Sequence, residues 1–334
     1  MIKAYAAHKV KGKLKPFEYN PGTLKDEQVE VDISYCGICH SDLSVLNNEW
    51  GISKYPFVPG HEIVGKICAI GSRVPNLKIG QVVGLGWYSQ SCMTCMQCLS
   101  GDHNLCSSNE STMIGRHGGF ANKIRAHHIW VTVLPENIDI KSAGPLFCGG
   151  ITVFNPMIQN NVLPTDRVGV IGIGGLGHMA LGFLRAWGCE VTAFSTSPDK
   201  EKEARAMGAH RFVNSRDSKV MGSLKGYFNL ILNTVNVDLN WNAYLSLLKP
   251  KGKLHIVGAG PKVSTDIFPL ISSQLSLGGS PVGSPATIRM MLEFVARHNI
   301  KPITEEFPMS KVNEAMDRLH SGKVRYRIVL KNDF

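Results

Sequence analysis

In the second half of the chain, apolar residues fall into short runs rich in β-branched and aromatic side chains, with helix-like stretches between them. The runs at 168–171, 191–194, 211–213, 228–232 and 253–257 read as strands. The stretches 199–207, closed by Gly208, and 239–248, closed by Lys249-Pro250, read as helices, with Asp199 as the cap of the first. Strands alternating with helices at this spacing predict βαβ units and a parallel sheet. Residues 148–287 are assigned to that doubly wound domain.

The pattern before residue 148 is different. Short extended runs such as 29–35 sit between Pro56, Pro59-Gly60, Gly71, Pro75, Gly80, Gly84 and Gly86, with few helical stretches, as in an irregular β-rich domain. After Pro285 a helix at 286–298 and a last strand at 326–330 are expected. The α/β domain is therefore inserted into a second domain made of residues 1–147 and 288–334. The longest apolar run, 168–184, holds six glycines and stops at Arg185. A membrane span needs about 20 apolar residues, so none is expected.

Composition narrows the class. The 334 residues are 43% hydrophobic and 19% charged, which excludes disorder and fibrous repeats. Lysine and arginine number 36 against 26 acidic residues, a formal charge of +10. That balance suits an anionic ligand or a nucleic acid, but the charge is scattered and never forms a run of five, so a solvated surface accounts for it. Nine cysteines in a chain this long do not make a disulfide scaffold, and residues 1–13 lack the apolar core of a signal peptide. A cytoplasmic protein is expected.

Cys92, Cys95, Cys98 and Cys106 give C-x2-C-x2-C-x7-C in a polar loop. Four thiolates at such short spacing suit a closed, structural zinc site. The competing readings are disulfides and an iron–sulfur cluster, whose usual C-x2-C-x2-C-x3-C-P spacing this loop does not match. A closed site has no position for substrate, and it would fix a loop that cannot build its own core.

A second constellation is more scattered. Cys36 and Cys39 form a C-x-x-C, which alone fits a redox pair, half a metal site or two buried thiols. The redox reading wants a helix start within a βαβ pattern, whereas this pair follows a strand-like run. His61-Glu62 follows a Pro-Gly turn, and Cys148 precedes two glycines. Two thiolates and an imidazole leave one zinc position open, the arrangement of a catalytic metal.

Gly172, Gly174, Gly175 and Gly177 make the turn G-x-G-x-x-G, with Leu176 inside it, between a predicted strand and a predicted helix. In that context the turn cradles a dinucleotide pyrophosphate at the helix N-terminus. His178 reads as a packed helix residue. An NAD enzyme places Asp or Glu at the end of the second strand to accept from the ribose 2′-OH. Here that strand ends in Ser195, followed by Thr196, Ser197 and, after Pro198-Asp199, Lys200. Three hydroxyls and an ammonium favour a 2′-phosphate and hence NADP(H). A solvated Ser/Thr turn is the plain alternative.

Taken together, these segments resemble the zinc-dependent medium-chain alcohol dehydrogenases, in the cinnamyl alcohol dehydrogenase-like branch. The resemblance spans nearly the whole chain and is carried by CGICHSD, VPGHEIVG, the four-cysteine loop, GIGGLGH followed by STS-x-x-K, and the closing VRYRIVL. It implies a GroES-like β-rich catalytic domain with an inserted Rossmann domain, the active site in the cleft between them. It implies that Cys39, His61 and Cys148 bind catalytic zinc, with Glu62 as an occasional or neighbouring ligand, Asp42 orienting His61, and Cys36 left in its strand. Ser41 would pass on the alcohol proton. His40 and Arg327 would lie near the pyrophosphate and Thr152 near the nicotinamide, while Thr234, Gly258 and the segment from Ser280 to Val282 would line the rest of the cofactor site.

The expected activity is interconversion of primary aromatic or aliphatic alcohols and aldehydes by hydride transfer, with NADP(H) and two Zn2+ per chain. The expected partners are the small substrate and further copies of the chain, in a dimer or tetramer that the resemblance pairs through an edge strand at 275–279, with no nucleic acid or membrane. The alternatives are an NAD-dependent alcohol or polyol dehydrogenase, a C=C or C=N reductase on the same scaffold, and, remotely, a zinc-loop nucleic-acid binder. The chain departs from the family where relatives often carry a His three residues after the Ser41 position; here it is Ser44. Pro281 stands where the branch often has a bulkier residue, and the stretch between Cys106 and Gly118 is short. Trp50, Trp87 and Tyr88 are candidate pocket walls or simple packing.

Overall fold

The computed structural model describes residues 1–260 and 262–334. They divide into two compact units, one of Met1–Ile151 with Val282–Phe334 and one of Thr152–Pro281.

The second unit is built on six strands, Arg167–Ile171, Glu190–Ser195, Arg211–Asn214, Phe228–Asn233, Leu248–Ile256 and Ser276–Gly279, all paired in parallel. Numbered by sequence within this sheet, their order is 3-2-1-4-5-6. Buried on both faces, parallel strands read as continuous apolar runs, which is why they were legible. The strand order reverses beside Arg167–Ile171, so a crevice for ligand opens beyond the carboxyl ends of the strands.

Two local expectations are corrected. The helix expected over 239–248 is only Trp241–Ser246, and Leu248 already opens the next strand. Leu245, Leu247 and Leu248 are all buried, so apolar spacing ran across a boundary that burial does not mark. Pairing jumps from Phe228↔Leu248 to Leu230↔Lys253, and Pro250 falls in that bulge, where its missing N–H costs no ladder bond. Asp199 caps nothing. It lies inside a 3-10 turn, Pro198–Lys200, and the helix Glu201–Ala206 starts without a side-chain cap.

The first unit holds a seven-stranded mixed sheet. Its path runs Thr304–Pro308, Arg327–Lys331, Gln28–Ile38, Glu62–Ile70, Val82–Leu85 and Thr132–Val133, with Lys123–His127 also on Gln28–Ile38. The last strand begins one residue later than expected. Ile33, Ile38, Ile63, Ile67, Leu85, Ile328 and Leu330 turn inward from these strands into one core with Phe57 and Phe120. The short helix His40–Leu46 packs its Leu43, Val45 and Leu46 there too. Among the described residues no helix is long and apolar enough to cross a membrane.

Candidate metal centres and nucleotide-binding turn

Cys39 leaves the strand Gln28–Ile38 and opens the helix His40–Leu46, while His61 and Glu62 stand at the start of Glu62–Ile70. Cys148 ends the 3-10 turn Gly144–Phe147, just before the helix Gly149–Gln159. Drawn from three separate stretches of sequence, these four residues bring their donor atoms within 4.8 Å of one another, and all are buried. Cys39 Sγ and Cys148 Sγ lie 3.8 Å apart. Tetrahedral zinc with Zn–S bonds of about 2.3 Å sets its sulfurs about 3.8 Å apart.

Asp42, fully buried, organises this corner. One carboxylate oxygen accepts from the Cys39 amide at 2.8 Å. The other accepts from the Gly60 amide at 2.8 Å and lies 3.2 Å from His61 Nδ1. That leaves His61 Nε2 as the free ring nitrogen, and it is buried without a hydrogen-bond partner, as is Glu62 Oε2. Buried orphaned donors among two thiols fit a metal ion. Cys36 is outside the cluster, a buried strand residue whose Sγ points to the Gly37 carbonyl at 3.6 Å.

Charge is finely balanced here. Burial alone would depress His61, yet the Asp42 charge and hydrogen bond, with help from Cys39, lift it to about 10. The hydrogen bond with Cys148 is the largest influence holding Cys39 well below the usual thiol range, against the effect of burial. The same bond, with burial, pushes Cys148 well up. Cysteine ligates a metal as the thiolate, so metal binding at this pair is linked to loss of thiol protons. Burial raises Glu62 against the pull of Arg327, whose guanidinium donates to its carboxylate.

Around the cluster, Ser41 Oγ lies 3.7 Å from Cys39 Sγ. Trp87 meets the His61 ring edge-on at 4.8 Å between centroids, and Trp50 stands 6.1 Å from Trp87. Tyr88 instead packs on Trp130. Ser44 is buried, and His40 is exposed at the helix start.

The second cluster is local. Cys92, Cys95, Cys98 and Cys106 also hold their sulfurs within 4.8 Å of one another, and Cys92 and Cys98 are 3.9 Å apart. Backbone amides of Thr94 and Cys95 hold Cys92 down to about 6, while burial is the chief cause lifting Cys98 to about 12. None of the nine cysteines is paired in a disulfide.

In the second unit, the glycine turn has the shape its pattern requires. Gly172 has φ +90°. A Cβ on Gly177 would lie 2.0 Å from the Gly172 carbonyl, so helix and strand meet only through glycine. A Cβ on Gly174 would meet nothing, leaving the approach to the helix Gly177–Trp187 open, and that helix has no side-chain cap. A pyrophosphate fits such an N-terminus. Gly175 and Leu176 complete the turn. Thr234 Oγ1 donates to the Ile171 carbonyl at 2.8 Å, and a Cβ on Gly258 would strike the Val235 carbonyl at 2.2 Å. Thr152 is buried in the helix Gly149–Gln159.

At the end of the second strand, Ser195 Oγ accepts from the Ser197 amide at 3.1 Å. Lys200 Nζ donates to the Ile173 carbonyl at 3.1 Å, which sets its ammonium beside the glycine turn. Thr196 lines a cavity of about 430 Å3 together with Arg216, Asp238 and Tyr244. Arg216 escaped the sequence reading. The available signal was a cation just past the third strand, at the same carboxyl edge of the sheet. His178 is buried, its Nδ1 3.1 Å from the Gly174 carbonyl.

Two family models match the chain. One, described as an alcohol dehydrogenase GroES-like domain, covers residues 25–136, and one described as a zinc-binding dehydrogenase covers 175–297. An aldehyde reductase of Synechocystis sp. is 54% identical over 333 residues, 99% of each chain. Cinnamyl alcohol dehydrogenase 2 of Rauvolfia serpentina is 38% identical, over 98% of this chain and 95% of its own. Among solved structures, a cinnamyl alcohol dehydrogenase of Sorghum bicolor superposes with a TM-score of 0.95 at 36% identity, covering 99% of this chain and 97% of that one. The cinnamyl alcohol dehydrogenase of Helicobacter pylori complexed with NADP(H) gives 0.91 at 30% identity, with 99% and 97% coverage.

Proposed function

Since the chain belongs to the zinc-dependent medium-chain alcohol dehydrogenases, in the cinnamyl alcohol dehydrogenase-like branch, we propose that it is an NADP(H)-dependent aldehyde reductase and alcohol dehydrogenase acting on primary aromatic or aliphatic substrates. One observation carries this reading: the donor atoms of Cys39, His61, Glu62 and Cys148 converge in a buried cluster, with His61 Nε2 free to bind a metal.

Zinc bound there supplies Lewis-acid polarisation of the substrate oxygen, and the nicotinamide supplies or accepts the hydride. The chain does the rest. Cys39, His61 and Cys148 would hold the ion, with the Glu62 carboxylate beside them. Asp42 fixes the His61 ring. Ser41, beside Cys39, takes the alcohol proton and passes it outward, and Ser44 or water ends that relay. Cys92, Cys95, Cys98 and Cys106 hold a second, structural zinc. Trp87 against His61 gives the site a flat apolar wall suited to aromatic aldehydes.

The 2′-phosphate reading rests on Ser195, Thr196, Ser197 and Lys200, joined by Arg216 on the same cavity. No carboxylate stands at the strand end where a ribose 2′-OH would want an acceptor. Self-association is supported by exposed Ile267, Phe268, Ile271 and Leu277 beside the edge strand Ser276–Gly279. A cytoplasmic location suits two sites that both need reduced thiols.

The test is initial-rate measurement on benzylic, cinnamyl and aliphatic aldehydes, with NADPH and NADH side by side and product analysis on an unsaturated aldehyde. Carbonyl reduction favouring NADPH is expected. Alkene reduction, or a preference for NADH, overturns the corresponding part.

A further inference from the structure

The chain returns from the second unit to the first at the step from Pro281 to Val282. Alternate residues of this crossing are held. Ser280 Oγ lies 2.9 Å from His255 Nε2. The Asn104 side-chain amide donates to the Val282 carbonyl at 2.9 Å, across 178 positions of sequence. Ser284 Oγ accepts from the Thr287 amide at 3.3 Å and caps the helix Pro285–His298.

Neither clamp is a chance surface contact. His255 and Asn104 are 4% and 5% exposed. Asn160 Nδ2 donates to the Pro156 carbonyl at 2.8 Å and reaches His255 Nδ1 at 3.0 Å, so Nδ1 accepts and Nε2–H is turned toward Ser280. Asn104 sits in the 3-10 turn His103–Leu105, just before Cys106. The Cys106 amide bonds the His103 carbonyl, and its Sγ accepts from the Cys92 amide at 3.4 Å. The four-cysteine cluster thus fixes the turn that aims Asn104. Asn104 Oδ1 is buried with no hydrogen-bond partner. An apolar residue would avoid that cost, so the bond to Val282 is what the asparagine provides.

The sheet order says which half of a dinucleotide this crossing meets. The pyrophosphate turn follows the first strand and the adenosine end follows the second. Thr234, Gly258 and Ser280 follow the fourth, fifth and sixth strands, on the opposite side of the turn. They line the nicotinamide half.

We propose that Asn104 and His255 are positioning residues for the nicotinamide half of the cofactor, and that Asn104 makes the four-cysteine loop a support of cofactor binding as well as of local folding. This rests on the dinucleotide reading given under Proposed function. Each side chain fixes one end of the 280–282 backbone, so loss of either frees that backbone while the adenosine end keeps its grip.

The experiment compares the parent protein with Asn104→Ala, Asn104→Asp and His255→Ala. Dissociation constants are measured for NADPH, for NADH and for 2′,5′-ADP, which carries the adenosine half alone, and zinc content and thermal midpoint are recorded beside them. Losing one hydrogen bond of ordinary strength should weaken NADPH and NADH about fivefold, raise the cofactor KM more than it lowers kcat, and leave 2′,5′-ADP unchanged. Asn104→Asp keeps the shape but loses the donor, so it should behave as Asn104→Ala does and replaces it if alanine fails to fold. Unchanged NADPH affinity in the folded variants overturns the proposal, and so does equal weakening of NADPH and 2′,5′-ADP. A parent that binds neither NADPH nor NADH overturns the dinucleotide reading itself.

Discussion

Arg327, first residue of the last strand, donates from its guanidinium to the carboxylate of Glu62, 265 positions earlier, and both side chains are buried. Removing one partner of a buried pair leaves a charge with no compensation. Arg327→Met should destabilise the protein by about 3 kcal/mol in guanidinium unfolding. Adding Glu62→Gln should recover part of that loss. Equal stability of the single and double variants would show that the two groups are not coupled.

The two cysteine clusters should fail differently. Cys39→Ser should remove one zinc per chain and abolish turnover with little change in the unfolding midpoint, because its helix and strand are held by the core around Leu43 and Ile63. Cys98→Ser should lower the thermal midpoint first, since residues 92–106 have little core of their own. Metal analysis with calorimetry separates the two, and a parent containing a single zinc would contradict one assignment.

Cofactor choice should move with the end of the second strand. Ser195→Asp combined with Lys200→Ala should shift the NADP+/NAD+ ratio of kcat/KM toward NAD+ by at least about tenfold, one charge–phosphate contact being worth about that. Arg216→Ala should raise the KM for NADPH and leave that for NADH alone. Unaltered ratios would detach these residues from the 2′-phosphate.

His255 carries a pH signature. Burial, helped by Lys253, pushes its pKa down to about 4 from an ordinary 6.5. The unfolded chain therefore takes up this proton first as pH falls. The stability this neutral ring contributes is present above about 6.5, is lost between about 6.5 and 4, and changes no further below that. Urea midpoints of parent and His255→Gln should converge across that window as the pH is lowered. Parallel curves would mean the ring is free to charge in the fold.

Much of this was legible before any coordinates, for physical reasons. Parallel strands buried on both faces announce themselves, and four cysteines inside fifteen residues, 92–106, are close enough in sequence to converge on one point, as they do. Cys39, His61 and Cys148 were different. Spacing placed them in turns, but only resemblance chose Cys39 over Cys36, and it took the sheet to bring them together. The end of the helix Trp241–Ser246 was misread because burial continues through Leu247 and Leu248 into the strand. Asn104 and Arg216 left no periodic signal: one makes a single long-range bond, and the other lines a cavity just past a strand end.

The clusters also differ in when they can exist. A loop that closes within positions 92–106 can grip an ion once that stretch has left the ribosome, at small entropic cost. The other cluster spans 109 positions between its two cysteines and waits for Cys148. If each cluster takes up an ion as proposed, synthesis itself sets a loading order, in which the loop at 92–106 can close first and the other cluster only after Cys148 has emerged.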